Sequence, residues 1–239
     1  MNFLLIHGAW HGGWCWDAVA EKLRSMGANV AAPTLKGLSE RAGELDDTLD
    51  LNTHINEVTD MLHDMQNVTL VGHSYAGALV LGAYDKLPDV VSNLILLDAV
   101  VPEIGKTLFD IVPEKSAQNR RAEAAASPGG LTFKPLSTKR LGLLPEHEEI
   151  IAGRLSGQPV RTYETIYQLD NPMGAGVPVT YIACTDPVFL PLIEHRARAE
   201  AKGWPVVELA TGHDAMISDP SGTARLLMEL GADLSMSPE

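Results

Sequence analysis

Asn67-Val68-Thr69-Leu70-Val71-Gly72-His73-Ser74-Tyr75-Ala76-Gly77 is an apolar run of strand length that ends in a turn of small residues, with a helical pattern behind it. Strand, tight turn and helix form the context in which a serine becomes a nucleophile, because the turn holds Oγ above the end of the sheet and clear of the helix. Small flanking residues are needed because the turn brings the strand and helix backbones together. The pattern G-x-S-x-G has glycine at its last place, where this chain has Ala76 followed by Gly77. The expectation is a turn that is kept but slightly more crowded.

Outward from this stretch the chain alternates strand, loop and helix. Asn2–Ile6 reads as a first strand, 17–26 as a helix with Val19, Leu23 and Met26 on one face, and 28–32 as a short strand stopped by Pro33. The polar stretch 36–52 reads as a loop, with Thr53 as N-cap of a helix carrying Ile55, Val58, Met61 and Leu62. Residues 93–98, Asn-Leu-Ile-Leu-Leu-Asp, are an apolar strand ending in a carboxylate. Continuous apolar runs indicate strands buried on both faces, hence a parallel sheet covered by helices: an α/β, doubly wound architecture of about six strands. The rhythm breaks over 102–176, which has no convincing strand but has helical pieces at 145–155 and 161–169. It resumes with strands at 179–184 and 205–209, a helix near 190–202, and a last helix started by Asp219-Pro220. The expected organisation is a core of 1–101 and 177–239 with 102–176 inserted over it.

The 239 residues suit one α/β domain, and 45% hydrophobic with 21% charged residues supports a large core rather than disorder. A formal net charge of −13 argues against nucleic acid, which needs clustered Lys and Arg. It also disfavours an anionic substrate unless a local patch overrides the total. No positively charged leader and no membrane-length apolar run are visible, so a cytoplasmic location without membrane attachment is expected. Two cysteines, Cys15 and Cys184, fit a reduced compartment better than a disulfide framework. A homodimer is compatible with the sequence, which gives no oligomeric state.

A serine hydroxyl needs a histidine base, itself oriented by a carboxylate. His147, His195 and His213 follow Ser74. His147 lies in the insertion and His195 in a helical pattern, both expected at the surface. His213 follows the last strand at the sheet's C-terminal edge, where ligands bind in open α/β sheets. It is the expected base. Two carboxylates compete for the acid. Asp186 lies in Cys184-Thr185-Asp186-Pro187-Val188 beyond one strand, and Asp98 ends another; Asp186 is favoured because site residues ride on loops beyond the sheet. Backbone N–H groups of Tyr75 and Ala9 are the expected oxyanion donors. His7 and His11 are spaced i, i+4, but Gly8, Gly12 and Gly13 make this a loop and no nearby Glu completes a zinc motif, so neither metal nor cofactor is expected.

With His7-Gly8-Ala9-Trp10-His11-Gly12-Gly13-Trp14, the Gly72–Gly77 turn, Thr185–Pro191 and Gly212-His213-Asp214-Ala215-Met216 in place, the chain resembles the α/β-hydrolase superfamily over nearly its whole length. It is most similar to small bacterial esterase-like members and the plant methylesterase and hydroxynitrile lyase group. The resemblance implies a sheet lacking two N-terminal strands of larger relatives, a helical cap, a small ester as substrate, and an acid after either of the two strands. Carbamate or amide hydrolysis uses the same groups. Lyases of this group carry Lys after the catalytic histidine and Thr at the place of Gly8, so Asp214, which would repel cyanide, and Gly8 make that activity the weaker reading. A non-catalytic ligand-binding member is the reading from another class. Phe109, Phe133, Tyr163, Tyr167 and Met173 either line an apolar pocket or pack among themselves.

Overall fold

The computed structural model describes residues 1–232. Six strands pair in parallel: β1 (Asn2–Ile6), β2 (Asn29–Ala31), β3 (Val68–His73), β4 (Val91–Leu97) and, after the insertion, the two strands at Val179–Cys184 and Val206–Leu209. Two-residue strands β5 (Thr132–Phe133) and β6 (Gln158–Pro159) pair antiparallel within the insertion, so the later strands are β7 and β8. The sheet order is β2-β1-β3-β4-β7-β8, which puts β3 and β4 in the middle. Every residue of β3 is buried, as its unbroken apolar run requires.

The helices are α1 (Asp17–Ser25), α2 (Leu51–Leu62), α3 (Ala76–Lys86), α4 (Glu114–Ala125), α5 (Glu148–Ile151), α6 (Arg161–Glu164), α7 (Ile193–Ala201), α8 (Ala215–Ser218) and α9 (Pro220–Ala232). Asp50, not Thr53, caps α2. The Asp50 carboxylate accepts from the Thr53 N–H at 2.9 Å and Thr53 Oγ1 accepts from the Asp50 N–H at 3.3 Å, a reciprocal capping box that starts the helix three residues earlier. In α9, Asp219 Oδ1 accepts from the Gly222 N–H at 2.9 Å with Pro220 at the first position, as its sequence indicates.

Segment 102–176 differs from its reading in detail. It contains the small β5–β6 pair and the twelve-residue α4, while 145–155 and 161–169 hold only short helical turns. Its aromatic residues are mostly its own core: Phe109, Phe133 and Tyr163 have ring centroids 5.1–6.1 Å apart, and Tyr167 is buried with its O–H donating to the Ala78 carbonyl of α3 at 3.1 Å. Cys15 and Cys184 are both buried free thiols. Among the described residues no helix is long and apolar enough to cross a membrane.

Candidate active site

Ser74 stands at the end of β3 with φ 54°, in the left-handed region that costs a non-glycine residue on the order of 1–3 kcal/mol. Hydrogen bonds on both sides hold it there. Its N–H donates to the Leu97 carbonyl at 3.2 Å, and its carbonyl accepts from Gly77 at 3.1 Å and Val100 at 2.8 Å. The turn works only with glycine at two places. A Cβ on Gly77 would lie 2.2 Å from the Val100 carbonyl oxygen, and one on Gly72 would lie 2.7 Å from the Ala76 oxygen. Ala76, by contrast, is accommodated with no exposure.

His213 Nε2 lies 3.0 Å from Ser74 Oγ, and His213 Nδ1 lies 2.6 Å from Asp98 Oδ2. An ionised carboxylate only accepts, so Nδ1 carries the proton and Nε2 is left to accept from the serine hydroxyl. The Phe189 ring stacks on the imidazole at 4.1 Å between centroids, only 20° from parallel. It fixes the ring plane and offers a π face to an imidazolium.

The carboxylate that meets His213 is thus Asp98 and not the favoured Asp186. Asp98 follows β4 with φ 40°, its N–H donates to Ile182 at 2.7 Å, and its other carboxylate oxygen accepts from the Cys184 N–H at 3.4 Å; it is 5% exposed. Asp186 lies in an exposed turn closed by a Thr185–Val188 bridge, and its N–H is spent on the Thr211 carbonyl at 3.1 Å. Among the described residues its side chain makes no hydrogen bond.

The loop after β1, which holds the expected donor Ala9, is built by buried histidines. His7 Nε2 accepts from the Leu35 N–H at 3.0 Å, so its Nδ1–H donates to the Gly8 carbonyl at 2.8 Å. That carbonyl and the Ala9 N–H share one peptide plane, so fixing the first aims the second. Burial holds His7 neutral, with a pKa of about 3. Among the described residues neither the Ala9 nor the Tyr75 N–H is used by another protein group. Trp10, at φ 68°, donates its N–H to Gln158 Oε1 at 3.1 Å and accepts at its carbonyl from Ser156 at 2.9 Å, tying this loop to the inserted segment. Behind Tyr75, His54 Nε2–H donates to the Lys36 carbonyl at 2.9 Å while Nδ1 accepts from the Tyr75 hydroxyl at 3.0 Å.

Asp214 does something its sequence position does not suggest. Its carboxylate faces inward, fully buried, with Oδ2 3.2 Å from His11 Nε2. His11 Nδ1 meets the Ala9 carbonyl at 2.8 Å, so both ring nitrogens face acceptors and His11 is held as an imidazolium. Burial alone would raise the Asp214 pKa, but the His11 charge and hydrogen bond, with His73 and His213 nearby, bring it down to about 2. Burial likewise opposes the charge on His11, and Asp214 overrides it and raises the pKa. This pair joins the loop after β1 to the loop that carries His213. His73 adds a second tie, donating from Nε2 to the His213 carbonyl at 3.0 Å, and burial next to His213 keeps it neutral. His73, His213 and Asp214 each bring a ligand-type atom within 4.8 Å of the others. His73 Nε2 and both His213 nitrogens are committed to the contacts above, while His73 Nδ1 and Asp214 Oδ1 are buried without a hydrogen-bond partner among the described residues.

A cavity of about 330 Å³ opens over Ser74 and His213, walled by Trp10, Tyr163, Phe189, Leu190, Arg120 and Arg140 among others. Of the five candidate aromatic and methionine residues only Tyr163 reaches it, stacked on Tyr75 at 5.5 Å. His195, expected at the surface, is 2% exposed and borders the same cavity, its Nδ1 3.1 Å from the Val101 N–H; burial lowers its pKa to about 4. His147 is half-buried in the insertion. The sequence reading missed the Asp214–His11 pair because its partners are 203 residues apart. Nothing local marks the stacking of Phe189 on the His213 ring either, because the two come from different loops.

The model of the alpha/beta hydrolase family matches residues 3–226. Over 246 aligned residues the chain is 33% identical to a carbendazim-hydrolysing esterase of Nocardioides sp. (strain SG-4G), covering 96% of this chain and 99% of that one. It is 30% identical over 146 residues to methylesterase 1 of Arabidopsis thaliana, covering 59% and 54%. An extracellular alpha/beta-hydrolase from a Paenibacillus species superposes with a TM-score of 0.86 at 21% identity, over 98% of this chain and 100% of that one. The chain belongs to the α/β-hydrolase family and is a carboxylesterase-type member of it.

Proposed function

We propose that the chain hydrolyses small carboxylic esters through an acyl-enzyme, with Ser74 as nucleophile, His213 as base and Asp98 as acid. The observation that carries this is the continuous hydrogen-bonded line Ser74 Oγ–His213–Asp98 at 3.0 and 2.6 Å beneath a cavity. Ser74 Oγ attacks the ester carbonyl while His213 Nε2 takes its proton; Asp98 and the face of Phe189 stabilise the imidazolium. Ala9 and Tyr75 N–H receive the oxyanion. Collapse expels the alkoxide with the proton returned by His213, and a water activated at the same Nε2 then releases the acid. Segment 102–176 serves as the cap that walls the cavity. No cofactor or metal enters these steps, and the substrate is the only partner they require.

A second reading, carbamate or activated amide hydrolysis by the same residues, is supported by the full-length likeness to an esterase named for hydrolysing carbendazim, a carbamate. Hydroxynitrile lyase chemistry is weaker. A Cβ at Gly8 would lie 2.9 Å from Ser74 Cβ, so this backbone has no room for the lyase threonine, and no lysine follows His213. Asp214 counts less against it than its position suggested, since its carboxylate is turned into the protein. Replacing Ser74 with Ala is expected to lower kcat on 4-nitrophenyl acetate by about 10⁴-fold or more, and EDTA to leave turnover unchanged. Near-parental activity in Ser74→Ala, or loss of turnover with chelator, would remove the proposal; a purely ligand-binding protein would show no ester turnover to begin with.

A further inference from the structure

The wall of the active-site cavity has the opposite charge to the chain as a whole. The protein carries 31 acidic and 18 basic residues, yet this cavity is lined by Arg120 and Arg140 and by no carboxylate. Through the same two arginines, Ser116 and Leu136 it adjoins a second cleft of about 510 Å³, which adds Lys115 and Lys134 against the single carboxylate of Glu123. Among the described residues none of these four cations makes an ion pair.

Neighbouring arginines show that this is not a general lack of partners. Arg121 pairs with Glu164 at 3.3 Å while lying over Phe109, and Arg196 and Arg198 are each bound by carboxylates. Arg120, one residue from Arg121, instead lies over the Trp10 ring at 5.1 Å and the Phe133 ring at 4.9 Å. Stacking on two rings restrains the guanidinium without neutralising it, and Trp10 is itself pinned through its backbone. A cleft lined by one sign of charge concentrates the opposite sign, whatever the net charge elsewhere.

Resting on the ester-hydrolase reading above, we propose that Arg120 and Arg140 form a subsite for a carboxylate that the substrate carries away from the scissile ester. The favoured substrates are then anionic esters: half-esters of dicarboxylic acids, with the charge on the acyl side, or esters of hydroxy acids, with the charge on the alcohol side. The local patch overrides the −13 total that disfavours such substrates.

The test compares matched pairs at a pH of about 7.5, where the carboxylates are ionised. Methyl hydrogen adipate is set against dimethyl adipate for the acyl side, and 4-acetoxybenzoate against 4-acetoxybenzamide for the alcohol side. At about 10 mM salt, kcat/KM for the anion of at least one pair should exceed that of its neutral partner by about fivefold to tenfold, and at about 0.5 M salt the ratio should fall towards one. Arg120→Gln and Arg140→Gln should each reduce the ratio, and Arg120→Lys, which keeps the charge, should largely retain it. The pair that responds identifies the side. Ratios at or below one, with the neutral esters turned over, would overturn the subsite and leave ester hydrolysis standing. So would a preference that neither salt nor the arginine variants alter. Failure to turn over any of the four would take down the ester-hydrolase reading and the subsite with it.

Discussion

Two neighbouring strands, β4 and β7, each deliver an aspartate just past their C-terminal ends, Asp98 one residue beyond Leu97 and Asp186 two beyond Cys184. Both therefore reach the edge of the sheet where Ser74 waits, yet only Asp98 meets His213. The difference lies in what the backbone does next. After β4 the chain turns at once, at φ 40°, and its carboxylate falls between the histidine loop and Cys184. After β7 it keeps pairing outward, Thr185 N–H to Leu209 and Asp186 N–H to Thr211, so the sheet is prolonged and Asp186 is carried to the exposed rim. Proximity in topology is thus not proximity of side chains: one positive φ separates a buried partner from a solvated one.

The comparison breaks most sharply at Asp98. Asp98→Asn keeps the shape but removes the charge that stabilises the imidazolium, and kcat should fall about 10²–10⁴-fold with KM little changed. An Asp98→Asn protein that is folded and nearly as active as its parent, judged by steady-state kinetics, would return the assignment to Asp186.

A third aspartate sharpens the contrast between burial and catalysis. Asp214→Asn leaves the His11 imidazolium without its carboxylate, and breaking a buried pair costs about 3–5 kcal/mol. His11 can shed its proton in response, so the lower end is expected: a fall in Tm of about 10 °C by calorimetry. Unchanged Tm would mean that the two loops are held together without this pair.

The buried histidines that frame the same loops predict a pH effect. His7, His54, His73 and His195 all have pKa values lowered chiefly by burial, to about 3 for His7 and about 4 for His195. Between the unfolded value near 6.5 and these lower values the unfolded chain binds more protons, so stability falls as pH drops below about 6.5. Each such group contributes a slope of about 1.4 kcal/mol per pH unit. Asp214, lowered to about 2, adds to the loss only below about pH 4, and His11 acts in the opposite sense, its contribution being lost as pH rises through its raised value. Urea midpoints that stay flat from pH 7 to pH 5 would contradict neutral burial of the four.

The smallest effect is expected where the comparison is most lopsided. Asp186→Asn should change kcat less than about threefold and leave Tm within the range of surface substitutions, about 0.5 kcal/mol. A drop of a hundredfold would show that the rim aspartate reaches the imidazole during turnover.

Much of this molecule is written locally. The apolar run Val68–Val71 with Gly72, Ser74 and Gly77 specifies strand, elbow and helix because only small residues permit that backbone approach. The alternation of buried runs and amphipathic stretches specifies the parallel sheet, and His213 follows from its place after the last strand. The sequence could also name both candidate acids, since each ends a strand at the same edge. What it could not contain is the choice between them, the His11–Asp214 pair, the burial of His195, or the arginine wall of the cavity. Each of these depends on where a loop turns and on groups far apart in the chain; His213 and Asp98 are separated by 115 positions. Hydrophobic period and turn chemistry act over a few residues, whereas a carboxylate's partner is decided by a single φ and by the packing that closes the sheet edge.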